Sequence, residues 1–155
     1  MEHQPETAMF LNMVMIEKGE QVLVENRRKQ DWPGITFPGG HVESHESFVD
    51  SAVREIREET GLKIAHLKLA GMAQYNDITA DNVYFRRVIY FYRTNDFSGE
   101  LKASREGEVY WLDKTKLADQ KLSGSMADFL PVIQNPELSE VFYLGDGDDY
   151  QTFFK

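Results

Sequence analysis

The sequence contains no cysteine, so disulfides, thiolate nucleophiles and cysteine-bound zinc are all excluded. Such a chain suits a reducing compartment, and the expected location is cytoplasmic. No apolar run approaches the roughly 20 residues that a membrane helix requires, so no membrane partner is expected. The first residues, MEHQPETA, carry no basic region followed by an apolar one and are not read as a secretory signal. Positive charge is also scarce: 17 Lys and Arg stand against 26 Asp and Glu, a formal net charge of −9. Proteins that grip nucleic acid through its phosphates carry a basic footprint, and here the sign is opposite, so no nucleic-acid partner is expected. A phosphate-bearing ligand would need its charge met by something else, and metal ions are the evident means. Internal repeats, low-complexity tracts and long linkers are absent as well.

What remains is a chain of 155 residues, 41% of them apolar, which suits one domain over residues 1–155 with a real core. Residues 9–17 (MFLNMVMIE) and 21–25 (QVLVE) read as two strands joined by a turn at Lys18-Gly19-Glu20. Residues 27–34 read as a loop, and 35–38 (ITFP) as a short strand stopped by Pro38-Gly39-Gly40. Ser47 is a candidate N-cap, Val49, Ala52, Val53 and Ile56 recur at helical spacing, and Gly61 supplies a stop, which predicts a helix over 48–60. Strands follow at 64–74 and 83–94, a turn at Phe97-Ser98-Gly99-Glu100, and a strand at 107–112. Residues 126–134 read as a helix whose start is limited by Pro131. Residues 141–155 read as a hairpin around Gly145-Asp146-Gly147. The acids of that turn lack the ordered spacing and closing Glu of a calcium loop. Strands on both sides of a central helix, with a late helix, predict a layered α/β domain.

The helix carries the stretch REIREET. At about 100° per residue, Glu59 falls about 40° from Glu55, and Glu58 about 60° to the other side. The three carboxylates share one face beside the apolar stripe, at the rim of the core. Charges so close repel one another. Arg54, placed i,i+4 to Glu58, offers one compensation, and a hard divalent cation offers another, since Mg²⁺ prefers oxygen ligands. By itself the stretch is either a solvated face with internal ion pairs or a metal-holding surface.

Its upstream context adds to this. Gly40, five residues, Glu46, seven residues and then Arg54-Glu55-Ile56-Arg57-Glu58-Glu59-Thr60-Gly61-Leu62 resemble the Nudix box, G-x5-E-x7-REUxEExGU with U aliphatic. All nine specified positions over 23 residues match. The flanking WPGITFPGGHVE and the later FSGEL and EGEVYWL are similar to a bacterial subgroup of that family, the 8-oxo-dGTP diphosphatases. The resemblance implies an α/β/α sandwich with a mixed central sheet. It also implies Mg²⁺- or Mn²⁺-dependent hydrolysis of a nucleoside diphosphate linked to another group. Carried over by position, Glu55, Glu58 and Glu59 are metal ligands, often joined by the Gly40 carbonyl and, through water, by Glu46, while Arg54 orients a glutamate. The partner implied is a small nucleotide, and homodimers are common in the family. Gly39 and Gly40 are expected to let the backbone take unusual φ and come close to metal and phosphate. Bound metal supplies hydroxide near neutral pH and clamps an in-line phosphoryl displacement.

Outside the box, some members of the family carry a further acid before the late strand as metal ligand or base. Glu106 fits that spacing to Trp111 better than Glu108, and the competing reading is a surface carboxylate. Arg27 and Arg28 follow the second strand, where relatives bind phosphate; each is otherwise a strand-end charge. Arg86 and Arg87 point to opposite faces of their strand, so one of the pair can enter a cleft. Trp32 and Phe37 either stack on a base or pack at the core edge. His41 and His45 read as polar loop residues. In family members that read oxidised guanine, an Asn or an acidic pair lies near the start of the late helix. Here Ser123-Gly124-Ser125-Met126-Ala127-Asp128 holds neither, and Asp128 either reads a base edge or caps the helix. The expected activity is hydrolysis of a nucleoside triphosphate, 8-oxo-dGTP foremost, to the monophosphate and pyrophosphate. A nucleoside diphosphate sugar or dinucleoside polyphosphate is the alternative, and a regulator that binds nucleotide without cleaving it the third.

Overall fold

A computed structural model describes residues 2–155. Strands β1 (Ala8–Lys18) and β2 (Gln21–Arg27) are followed by β3 (Gly34–Thr36) and helix α1 (Phe48–Thr60). Next come β4 (Lys63–Ala65), β5 (Lys68–Ile78), β6 (Tyr84–Thr94), β7 (Asp96–Ser98) and β8 (Gly107–Asp113). A 3-10 helix (Lys114–Asp119) and helix α2 (Met126–Gln134) precede the hairpin of β9 (Glu140–Asp146) and β10 (Asp149–Phe154). Among the described residues, no helix is long and apolar enough to cross a membrane.

The main sheet runs β10-β9-β5-β6-β1-β2-β3, with β8 also paired to β2. It is mixed: β1–β6 and β5–β9 are parallel, and the other pairings are antiparallel. Alternation along the strands sends successive side chains to opposite faces. Met15, Val22 and Val24 join Phe91, Phe129 and Val132 on the α2 side. Val14, Ile16 and Leu23 join Ala52, Ile56 and Tyr92 on the α1 side. Helices therefore cover both faces, and the expected α/β/α sandwich is what forms.

Helix α1 has the bounds its sequence predicts. The Ser47 hydroxyl accepts from the Asp50 amide at 2.9 Å, a cap worth about 1 kcal/mol. Gly61 closes the helix at φ 79°, a left-handed position suited to glycine. Val49 departs from expectation at 43% exposure; Phe48 fills the stripe instead, stacked on Tyr90 at 4.5 Å. The predicted strand 64–74 breaks in two at His66, whose φ of 54° turns the chain away from the sheet. The first piece, β4, pairs with β7, so Asp96–Ser98 is strand and the turn begins only at Gly99. Pro131 lies inside α2 rather than near its start. β3 ends at Thr36, and Phe37 beyond it is core.

One irregularity of the sheet positions the site. β1 and β2 pair only at Glu17–Val22 and Lys18–Gln21, beside their turn. Beyond it they splay: β1 runs along β6, and β2 runs between β3 and β8. The wedge is filled by the glycine loop. The amides of Val14 and Asn12 donate to the carbonyls of Pro38 and Gly40 at 2.9 and 2.8 Å, and Val42 donates to Phe10 at 2.9 Å.

Candidate functional site

The wedge opens into a cavity of about 650 Å³ that reaches from the α1 side of the sheet to the α2 side. One end is acidic and is lined by Glu25, Glu55, Glu59 and Glu106 with Gly39 and Gly40. The rest of the wall is lined by Trp32, Tyr75, Phe129 and Tyr143, and by Asp77 and Asp146 from the same strands as the two tyrosines.

The glycine loop and α1 are locked together by Asn12, a polar residue buried within the apolar run of β1. Its side-chain amide donates to Ser51 Oγ at 2.8 Å, and its Oδ1 accepts from the Gly40 amide at 3.3 Å. The Gly39 amide donates to Glu59 Oε2 at 3.0 Å. Neither Gly39 nor Gly40 has the positive φ expected of it; their smallness serves close approach instead. A Cβ on Gly39 would strike the Asn12 carbonyl, and one on Gly40 would strike the Glu55 carboxylate. Alanine at Gly39 would force the loop away from the β1 backbone, and alanine at Gly40 would displace the Glu55 carboxylate from its place.

Arg54 is the electrostatic centre of the helix face. Its Nε and Nη2 donate to the two oxygens of Glu46 at 2.8 and 3.0 Å, a bidentate fork. Its Nη1 donates to Glu55 Oε1 at 2.9 Å and to Glu58 Oε2 at 3.3 Å, and its Nη2 to the His41 carbonyl at 3.0 Å. The hydrogen bonds of the fork lower the pKa of Glu46 from the ordinary carboxylate value. Glu55 turns inward, its side chain 15% exposed, while Glu58 is 58% exposed at the rim.

Across the cavity, β2 contributes Glu25, Arg27 and the following Lys29. Glu25 is 3% exposed, and its Oε1 has no hydrogen-bond partner. Lys29 pairs with Glu106 at 2.5 Å. Burial, aided by the like charges of Glu25, Glu55 and Glu106 and opposed by the Gly39 amide, pushes Glu59 up to about 8. Burial also raises Glu25, though Arg27 beside it works the other way. Among the described residues no three acidic or histidine side chains are already gathered as a metal cage. The carboxylates instead face a shared space.

The other expected residues are distributed unevenly. Arg27 and Glu106 line the cavity; Arg28 and Glu108 are exposed and do not. Glu46 has both oxygens on Arg54, and its Oε2 also accepts from the Glu43 amide at 3.1 Å. Asp128 sits behind the aromatic wall and accepts from the Tyr143 hydroxyl at 2.9 Å. Neither Arg86 nor Arg87 lines the cavity: Arg86 binds Glu6 and Gln74, and Arg87 binds Asp77 at 2.8 Å. Trp32, 47% exposed, and Phe37 both line it, as does His41. Among the polar contributors, Asn12, Glu25 and Lys29 were not foreseen, and neither were the lining aromatics Tyr75, Phe129 and Tyr143. Asn12 and Glu25 had a visible signal, each being a lone polar residue in or closing an apolar strand. Lys29 had none, because loop lysines are usually solvated.

Comparison with known proteins places this geometry. The family model described as NUDIX domain matches residues 9–133. An uncharacterised Nudix hydrolase of Bacillus subtilis is 27% identical over 120 residues, covering 75% of each chain. An 8-oxo-dGTP diphosphatase of Buchnera aphidicola is 28% identical over 102 residues, covering 64% of this chain and 72% of that one. The crystal structure of a MutT mutator protein from Bacillus halodurans shares the fold, with a TM-score of 0.71 at 20% identity over 93% of this chain and 97% of that one. With the family model matched over most of its length, the chain belongs to the Nudix family, hydrolases that act on phosphoric anhydrides.

Proposed function

We propose that this chain, acting as one domain over residues 1–155, is a divalent-metal-dependent nucleotide pyrophosphohydrolase. The observation that carries the reading is the cavity itself, with buried Glu25 and half-buried Glu55, Glu59 and Glu106 at one end and aromatic rings at the other. The residues fit a hard cation: four carboxylates share the acidic end, and one buried oxygen of Glu25 is unpartnered. Glu55, Glu59 and Glu106 would hold Mg²⁺ or Mn²⁺, with Glu58 at the rim and the Gly40 carbonyl beside them. When bound, the cation supplies charge neutralisation at the phosphates and lowers the pKa of the attacking water.

The chain's own residues do the rest. Arg54 fixes the rotamers of Glu55 and Glu58, so that acceptor oxygens are pre-aimed. Arg27 and Lys29 receive phosphate oxygens, the guanidinium as a fork and the ammonium as a point charge. Tyr75, Phe129 and Trp32 offer faces for a base. A water attacks one of the two phosphorus atoms of the α,β-anhydride of a nucleoside triphosphate, that atom's bond to the bridging oxygen breaks, the bridging oxygen leaves with the other product, and the water's proton passes to a carboxylate of the acidic end. The monophosphate and pyrophosphate leave. An oxidised purine nucleotide such as 8-oxo-dGTP is the first substrate to try, and the named activity of the Buchnera relative supports it. We place the enzyme in the cytoplasm, with a homodimer as the assembly and neither nucleic acid nor membrane as partner.

The test is a panel of 8-oxo-dGTP, dGTP, ADP-ribose and a dinucleoside polyphosphate with Mg²⁺, products being followed by chromatography. Turnover of the triphosphates alone is the expected result. Preference for ADP-ribose or the dinucleotide would move the substrate class. Tight binding of one member with turnover of none would replace the enzyme by a nucleotide-binding regulator.

A further inference from the structure

The Nudix box accounts for Glu55, Glu58 and Glu59, but not for Glu25. This residue comes from another element, and its surroundings are unusual for a carboxylate. It follows Val22, Leu23 and Val24 on β2, all fully buried, and it is itself 3% exposed. Two residues beyond Leu23, it points to the α1 face of the sheet, toward the helix that carries Glu55 and Glu59. It lines the same end of the cavity as those residues and Glu106. Its Oε1 is buried without any hydrogen-bond partner. Arg27, two positions on, forms its ion pair with Asp31 and not with Glu25.

A buried carboxylate with an unused oxygen is costly, and the nearby charges of Arg27 and Lys29 offset only part of its desolvation. Packing gives no reason to keep it there: the three preceding residues show that an aliphatic side chain suits this strand. A ligand that supplies positive charge inside the cavity would remove the cost. Three neighbouring carboxylates of the same end define what that ligand is: a hard, oxygen-seeking divalent cation.

We propose that Glu25 is an additional metal-ligating carboxylate of the catalytic cavity, contributed by β2 from the wall opposite helix α1. The site then clasps its cation from two sides of the wedge, α1 on one and β2 on the other. Cation binding thereby ties the splayed half of the sheet to the helix. This rests on the proposed metal dependence, and the experiment separates the two.

Mn²⁺ binding to the purified full chain, without nucleotide, is measured by calorimetry and by loss of the free-ion paramagnetic resonance signal. Wild type, Glu25→Gln, Glu25→Asp and Glu108→Gln, an exposed control, are compared, each with its thermal transition before and after metal. The expected result is a loss of Mn²⁺ affinity of about tenfold or more in Glu25→Gln. Glu25→Asp, which keeps the charge on a shorter stem, retains part of it, and Glu108→Gln retains all. Metal-free Glu25→Gln melts at or above wild type, because repulsion is relieved, but gains less from Mn²⁺. Unchanged affinity and unchanged metal-induced stabilisation in Glu25→Gln overturn the assignment and leave the metal dependence standing. No Mn²⁺ binding by the wild type overturns both.

Discussion

The two ends of the cavity are built by different rules. The acidic end comes chiefly from contiguous sequence: Gly39 and Gly40, then Glu55 and Glu59 on a single helix, tied by Arg54 and Asn12. Its geometry follows from helical spacing and one glycine loop. The aromatic end is assembled from the loop before β3, from β5, α2 and the β9–β10 hairpin, through Trp32, Tyr75, Phe129 and Tyr143. Part of it, the hairpin, lies beyond residues 9–133, the stretch that the family model covers. Trp32, Tyr75 and Phe129 lie within that stretch, so the aromatic end is built partly inside and partly outside it, whereas the acidic end lies wholly inside.

If this division is right, lesions at the acidic end act on turnover and lesions at the aromatic end act on affinity. Glu58→Gln and Glu59→Gln are each expected to lower kcat by about two to four orders of magnitude with the fold retained. Near wild-type rates in both, with circular dichroism unchanged, would sink the ligand assignment.

The next effect is on stability. Glu59 holds its proton up to about 8, against 4.5 for the ordinary carboxyl. Between those values the folded chain binds a proton that the unfolded chain has released, so stability falls as pH rises through the window. The contribution is complete below about pH 4.5 and lost above about 8. Urea denaturation in the presence of a chelator should show a decline on the order of a few kcal/mol between pH 5.5 and 8.5. Mg²⁺ should flatten it, since a cation replaces the proton, and so should Glu59→Gln.

At the aromatic end, Trp32→Ala and Phe129→Leu should raise KM by about tenfold while kcat stays within a few-fold. A kcat loss matching that of Glu59→Gln would erase the distinction between the ends. The smallest contrast lies between two adjacent arginines. Arg27→Ala should weaken substrate binding, whereas Arg28→Ala should leave KM unchanged and stability within about 0.5 kcal/mol. Equal effects would mean that the cavity wall is not where β2 places it.

Helix α1 was legible in the sequence to its terminal residues because its signals are local: a serine cap, an apolar period and a glycine stop. The box residues were legible for the same reason, being separated by fixed distances along one short segment. The break of 64–74 at His66 was not legible, because a non-glycine left-handed residue carries no mark in composition. Nor was the sorting of Arg27 from Arg28: the two are chemically alike, and only strand direction and the path of the loop decide which faces the cavity, whereas spacing to Trp111 already favoured Glu106 over Glu108. Glu46 shows the limit from the other side. Its place in the motif was evident, but its engagement with Arg54 depends on where the loop folds back.

The sequence by itself determined the chemistry on offer: a cysteine-free, acidic chain with a glycine loop and three carboxylates on one helical face. Those properties depend on residue type and on spacings of a few positions, which local backbone geometry converts directly into direction. Tertiary structure alone decided that β1 and β2 separate after two paired positions, and that the glycine loop fills the gap. It also decided that Glu25 and Glu106 arrive from the opposite wall. Those outcomes rest on strand pairings between distant segments, where register, twist and the packing of two helices on two faces settle which carboxylates meet.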